Sequence, residues 1–186
     1  MRSGTILAAG AVLVGSIFVA SDLRASSITY DILANGIKEV NASGVPNGDA
    51  DATAVGTIRL DNGTGAGNTG SAVINLAVRN VDGTLSGHHI HQAPATTTGS
   101  IVVDFGNPST ILTGTGQNGT LSGTITGLPA ATISSVFANP TGFYYNLHST
   151  PNFGGGAVRD QLPEPGSAAL VALGAIGLLA RKRRGA

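Results

Sequence analysis

The feature that most limits what this chain can fold into is a series of short apolar or alternating runs broken by turn residues. Asp61-Asn62-Gly63 and Val81-Asp82-Gly83-Thr84 are tight-turn signals between such runs. Alternation with a period of two is typical of strands that bury one face. Eight strands are predicted on this basis: 28–33, 53–60, 71–80, 85–91, 100–105, 119–126, 142–148 and 157–162. This spacing predicts an all-β fold, an antiparallel β-sandwich or immunoglobulin-like barrel of about eight strands.

One segment departs from the strand pattern. Residues 129–138 are predicted either as a short helix or as an irregular crossover. The chain contains no cysteine, so the domain must be held together by its core without disulfides. Residues 26–162 are numerous enough to form one domain with such a core. No linker divides this stretch, and we therefore predict a single domain.

The charge is distributed unevenly along the chain. Between Ser26 and Glu164 there are four Lys or Arg side chains against nine Asp or Glu side chains, a net charge of −5. Nucleic-acid binding requires a basic surface, so it is excluded as a function. An acidic surface suits an exported protein and the binding of cations.

The N-terminal segment has the features of a signal peptide. A positive start at Met1-Arg2 precedes an uncharged apolar run over 6–20 and the polar pair Ser21-Asp22. We predict that residues 1–25 form a signal peptide cut after Ala25 or Ser21. The alternative is an uncleaved N-terminal anchor. Either reading predicts export.

The C-terminal segment, residues 163–186, combines three signals in a fixed order. Pro163, Glu164 and Pro165 precede an uncharged apolar run over 166–180, and a basic stop follows at Arg181, Lys182, Arg183 and Arg184. The apolar run predicts a membrane-inserting helix, and the cations would hold its end on the cytoplasmic side. The arrangement resembles the PEP-CTERM sorting signal of Gram-negative bacteria. The alternative is a tail anchor without processing.

That resemblance implies partners and a location. Export machinery and an exosortase would handle the chain, and the C-terminal helix would hold it transiently in the inner membrane. The mature protein would then reach the cell surface or the extracellular matrix. Exopolysaccharide or surface proteins are the binding partners that this setting implies.

The four histidines fall in two places and suggest a metal site. His89 and His91 alternate with Ile90 on a predicted strand, so both imidazoles point to one face while Ile90 points into the core. His148 would complete a set of three nitrogen ligands if its strand lies nearby. Imidazole suits Cu and Zn, and the charge of Asp104 makes it a candidate fourth ligand. The alternative is that these histidines are structural and bond to loop backbone.

Several motifs resemble the CHRD domain, a module of exported proteins. They are Leu33–Val40, Gly56–Leu60, Gly87–Pro94 (GHHIHQAP), Gly99–Val103, Tyr144–Thr150 (YYNLHST) and Gly155–Leu162 (GGAVRDQL). They occur in the family's order and cover nearly the whole region between the two terminal signals. The resemblance implies an immunoglobulin-like or barrel-like β fold and no known reaction. Ala157 and Asp160 depart from the family pattern, which has Glu and Gly at those positions.

The sequence supports two functional hypotheses. The first is a non-enzymatic binding or structural module sorted to the cell surface. The second is a metal-binding protein centred on His89, His91 and His148, since Gly-x-His-x-His also resembles the copper-binding strand of Cu/Zn superoxide dismutase. The chain lacks that enzyme's cysteines and zinc-site histidines, and only Arg159 suggests its catalytic arginine. No nucleophile elbow or carboxylate pair supports another reaction.

Overall fold

The computed structural model describes residues 27–63, 69–108, 112–113 and 118–164, and it confirms the all-β prediction. Within these ranges lie the nine strands β1 Ser27–Asn35, β2 Thr53–Asp61, β3 Gly70–Arg79, β4 Thr84–Gln92, β5 Ser100–Asp104, β6 Leu112–Thr113, β7 Gly119–Leu128, β8 Phe143–Thr150 and β9 Phe153–Gln161. Eight of them correspond to the predicted runs, and the two-residue β6 is additional. Residues Ala130–Ala138 form the helix α1, and 3-10 turns cover Gly36–Lys38 and Pro140–Gly142.

The strands form one antiparallel sheet with a weak joint. Their order is β5-β4-β8-β9-β1-β2-β3-β7-β6. Strands β1 and β2 pair over their whole length, from Ser27↔Asp61 to Asn35↔Thr53, whereas β1 and β9 share the single registered pair Asn35↔Arg159. The sheet therefore divides at this joint into two halves, and it closes into a sandwich that is nearly a barrel.

The Asp160 side chain bridges the joint between β1 and β9. One carboxylate oxygen accepts the backbone N–H of Leu33 at 2.7 Å. The other accepts from the ammonium group of Lys38, which also donates to the Leu33 carbonyl at 2.7 Å. A carboxylate thus replaces ladder hydrogen bonds that the two backbones do not make. This bridge gives a structural role to a residue that departs from the family pattern.

The hydrophobic core lies between the two halves of the sheet. Alternate residues of β1, β2 and β3 are buried, as the period-two pattern requires. Helix α1 contributes Ile133 and Val136 to this core. The helix alternative for this segment is confirmed. Ala157, at the second departure from the family pattern, is also fully buried in the core.

The alternation fails on β8, where every residue except Thr150 is buried. Its outer face carries polar side chains, which two connections cover. Residues 36–52, between β1 and β2, place Glu39 against Asn146. Residues 93–99, between β4 and β5, accept two hydrogen bonds from Arg159 of β9. We call the buried side chains under these connections the polar layer: Glu39, His91, Tyr144, Asn146, His148 and Arg159.

The predicted terminal segments lie outside the described residues. These are the signal peptide over 1–25, Pro165, the apolar run over 166–180 and the basic residues 181–184. Among the helices that the structure does describe, none has the length and apolar character needed to cross a bilayer.

Candidate metal centre

The structure brings His89, His91 and His148 together at the edge of the polar layer. Strand β4 carries the first two, and Ile90 between them is fully buried in the core. Strand β8 pairs with β4 in the register Gly87↔His148 and His91↔Tyr144. One nitrogen from each of the three imidazoles lies within 4.8 Å of the other two.

A shared metal ion would draw these nitrogens closer together. Three nitrogens that bind one ion at about 2.0–2.1 Å in tetrahedral geometry lie about 3.4 Å from one another, a shorter separation than the 4.8 Å within which the three atoms lie here. Binding would therefore require the three rings to turn toward a common point.

Backbone carbonyls fix the tautomers of His91 and His148. Nδ1 of His91 lies 2.9 Å from the Gly99 carbonyl oxygen, and Nδ1 of His148 lies 3.0 Å from that of Gly154. A carbonyl oxygen only accepts, so Nδ1 carries the hydrogen in a neutral ring and Nε2 carries a lone pair. Both Nε2 atoms are buried without a hydrogen-bond partner.

His89 is arranged the other way round. Its Nε2 lies 3.4 Å from Oδ1 of Asp104, and its Nδ1 is the buried atom without a partner. Asp104, which the sequence suggested as a fourth ligand, is thus placed beside His89, with 65% of its side chain exposed. Among the described residues, the potential ligand atoms that lie within 4.8 Å of one another come from the three histidines and do not include an oxygen of Asp104.

Burial keeps these imidazoles neutral. It lowers the pKa of His89 to about 4, with a further lowering from His148 and an opposing effect from Asp104. Burial also lowers the pKa of His91 and of His148, against the carbonyl hydrogen bonds that raise them. Neutral imidazole is the form that binds a metal ion, so the three rings are in ligand form at neutral pH.

A stack of three side chains supports His91 from within the polar layer. The Tyr144 ring lies parallel to the His91 ring at 4.9 Å and 10°. The guanidinium carbon of Arg159 lies 3.5 Å from the centre of the Tyr144 ring on β8. Arg159 also donates to the carbonyls of Pro94 and Thr97 at 2.7 and 2.9 Å. In the sequence, Arg159 stood only as a weak counterpart of the dismutase's catalytic arginine; in the structure its buried guanidinium binds the carbonyls of the connection above it.

Glu39 is a buried acid that the sequence reasoning missed. Only 1% of the residue is exposed, and it accepts a hydrogen bond from Nδ2 of Asn146 at 2.8 Å. Burial raises its pKa to about 7, while the nearby charge of Arg159 opposes that rise. Two glycines leave room for the Glu39 side chain. A methyl group at Gly48 would lie 2.6 Å from Cβ of Glu39, and a methyl group at Gly156 would lie 2.8 Å from its Cδ.

The fourth histidine, His88, lies on the other face of β4 and is not part of the cluster. It is fully buried between Phe105 and Tyr145, at ring-centre distances of 5.2 and 6.3 Å. Neither of its ring nitrogens has a hydrogen-bond partner. A buried polar group without a partner costs about 1–3 kcal/mol, so His88 destabilises the fold.

Replacing His88 with leucine is therefore expected to stabilise the domain by about 1–2 kcal/mol. The gain should grow as the pH falls. Burial lowers the pKa of His88 to about 4, so between pH 6.5 and 4 the unfolded state binds the extra proton and the native chain loses stability. Denaturant unfolding of both proteins at pH 7 and pH 5 measures this. A gain that is equal at the two pH values, or a loss at both, would contradict the explanation.

The fold and the site together define a class: an antiparallel β-sandwich that carries a histidine-rich polar layer and ends directly at a Pro-Glu-Pro sequence. Residues 14–162 match the family model of the CHRD domain, and residues 161–184 match that of the PEP-CTERM protein-sorting motif. The chain belongs to the CHRD domain family. Its sorting motif indicates an exported protein that an exosortase processes. Comparison with curated proteins and with solved structures gave no significant match.

Proposed function

We propose that this exported CHRD domain binds one transition-metal ion through His89, His91 and His148. The observation that carries the proposal is the convergence of three imidazoles, two buried and one half-buried, each with one buried ring nitrogen that has no hydrogen-bond partner. Leaving such an atom unsatisfied costs about 1–3 kcal/mol. One ion would satisfy all three atoms at once, which explains their common orientation better than a purely structural role.

The donor set selects the class of metal. Three neutral imidazoles suit Zn and Cu, whereas Mg and Ca prefer oxygen ligands. The chain has no cysteine, so no thiolate would complete a closed tetrahedral site. Three protein ligands leave a fourth position for water or another ligand. His89, with 14% of its side chain exposed, marks the side of the site that is nearest to solvent.

The surroundings favour metal binding over dismutase chemistry. An enzyme that acts on a small anion gains from a free cation beside the metal. Arg159 is buried, and its two terminal nitrogens donate to Pro94 and Thr97. The exposed charge next to His89 is the carboxylate of Asp104. This environment attracts cations and repels superoxide.

A second proposal concerns the setting in which the domain acts. The family match ends at residue 162 and the sorting match begins at residue 161, so the domain is joined to its sorting signal without a linker. This supports a binding or structural module that is held at the cell surface or in the extracellular matrix. Retention of the processed protein on isolated surface polysaccharide would test it, and passage of the protein without retention would count against it.

Gly87 provides the test of the metal proposal, because it makes room for the ring of His89. A methyl group at position 87 would lie 2.8 Å from Cε1 of that ring. We expect Zn²⁺ and Cu²⁺ to bind the unaltered protein at one ion per chain. Gly87→Ala should displace His89 and weaken binding by about tenfold to a hundredfold, the range seen when the support of a ligand is lost. Isothermal titration measures both quantities.

Gly154→Ala is the matched control for this substitution. Its carbonyl holds His148, but a methyl group there would meet no atom within 4 Å, so the affinity should stay unchanged. Equal affinities for the two variants, or no binding by the unaltered protein, would contradict the proposal.

A further inference from the structure

We infer that His89 presents Nδ1 to the metal ion, unlike His91 and His148, and that Asp104 is the positioning residue that fixes this orientation. The inference rests on the proposed metal site and deepens it. It replaces the idea of Asp104 as a fourth ligand with that of a carboxylate that holds the ligand.

The polar neighbours of the ring nitrogens separate the three rings. His91 and His148 each turn Nδ1 to a backbone carbonyl, so that Nε2 is the atom without a partner. In His89 the atoms exchange roles, because Nε2 faces Asp104 and Nδ1 is the buried atom without a partner. One ring cannot direct Nε2 both to a carboxylate outside the cluster and to the ion within it. The unpartnered nitrogens therefore predict a set of one Nδ1 and two Nε2 ligands.

The strand register brings Asp104 to His89. Strands β4 and β5 pair His89 with Asp104 and Ile90 with Val103, and an irregularity then shifts the register so that His91 pairs with Ile101. The Asp104 carboxylate is also anchored, since its Oδ1 accepts the backbone N–H of Gly106 at 2.7 Å. This fixed acceptor beside Nε2 favours the tautomer that carries its hydrogen there.

The carboxylate would affect the metal through the ring. A carboxylate that accepts the N–H of a ligating imidazole orients the ring and makes its other nitrogen more basic. Asp104 lies outside the group of atoms within 4.8 Å of one another, at a position that suits this indirect role. Loss of such a carboxylate lowers metal affinity by about tenfold to a hundredfold. Because 65% of the Asp104 side chain is exposed, we expect its loss to lower the affinity by about tenfold.

Nitrogen NMR of the full chain in detergent micelles tests the inference directly. The chain has four histidines, so ¹⁵N-histidine labelling gives four ring systems, with His88 as an internal reference that should not respond. On Zn²⁺ addition we expect the signature of a bound Nδ1 and a protonated Nε2 in His89, and the reverse in His91 and His148. Coordination of His89 through Nε2 would overturn the inference and leave the proposed function standing. If none of the three rings responds, both fall.

Substitution of Asp104 gives a second readout. Asp104→Asn keeps an oxygen that can accept from Gly106 and removes the charge beside His89. Zn²⁺ affinity should fall about tenfold, and the tautomer preference of His89 should weaken in the NMR spectrum. Asp31→Asn, which neutralises an exposed acid on β1, should leave both unchanged. Equal effects of the two substitutions would reduce the role of Asp104 to general charge and overturn the inference.

Discussion

Replacing Arg159 with methionine is expected to destabilise the domain by about 3–5 kcal/mol, because it leaves two carbonyls without a donor, at about 1–3 kcal/mol each, and removes a buried cation whose charge stabilises the Glu39 carboxylate. The guanidinium lies against the Tyr144 ring, donates to two carbonyls of residues 93–99, and lies near the buried Glu39. Methionine fills part of the volume but provides no donor. The substitution would leave the carbonyls of Pro94 and Thr97 without this donor and the Glu39 carboxylate without the nearby positive charge. Urea unfolding of residues 26–164, followed by circular dichroism because the chain has no tryptophan, measures the change.

A double-mutant cycle with Glu39 shows whether the lost charge interaction causes part of the destabilisation by Arg159→Met. Glu39→Gln keeps an acceptor for the Asn146 side chain and removes the buried charge. In the Arg159→Met background this second change should recover at least about 1 kcal/mol relative to its effect in the unaltered protein, since residues that interact within one buried network couple by about 0.5–3 kcal/mol. If Glu39→Gln has the same effect in both backgrounds, the two residues are independent and the charge explanation fails.

Replacing His148 with alanine should lower the affinity for Zn²⁺ or Cu²⁺ by more than about a hundredfold, beyond the tenfold to hundredfold that loss of a ligand's support causes. The side chain supplies one of three converging nitrogens, and its removal leaves two ligands on β4. Stability without metal should change little, because His148 lies in the polar layer and its unpartnered Nε2 adds a cost of its own. Competition with a chromophoric chelator measures the affinity, and thermal unfolding measures the stability.

His88→Leu is the control for this loss. It removes a histidine from the same sheet, but that ring lies on the core face and does not belong to the cluster. Its metal affinity should equal that of the unaltered protein. A loss of affinity in His88→Leu as large as that in His148→Ala would show that the cluster is not the binding site.

The strands could be predicted because the local pattern of apolar and polar residues determines where they lie. Alternating runs such as 71–80 bury one face of β3, and the glycine turns between runs leave few other conformations. The convergence of His89, His91 and His148 also followed from strand periodicity once β8 was assumed to lie beside β4. Pairing between distant strands had to be assumed, since no short-range signal specifies it.

The polar layer could not be predicted in this way. The pattern of β8 gives no sign that both its faces are buried, because the cover comes from connections far away in sequence. The available signals were Arg159 directly after Ala157 and Val158, and Glu39 beside Val40. Neither residue can be identified as buried until the connections 36–52 and 93–99 are known to fold over the sheet. Asp104 was suggested on charge alone, and only the register of β4 and β5 shows that it faces His89.

The most direct test of the account is the metal content of the purified domain after exposure to Cu²⁺ and Zn²⁺ and removal of excess metal. Elemental mass spectrometry of the unaltered protein and of the His89→Ala, His91→Ala double variant gives the number of ions per chain. We predict about one ion per chain in the unaltered protein and almost none in the double variant. Circular dichroism should show that both proteins are folded. Absence of metal from the unaltered protein, or equal metal in both, would contradict the central claim and leave these histidines as scaffold.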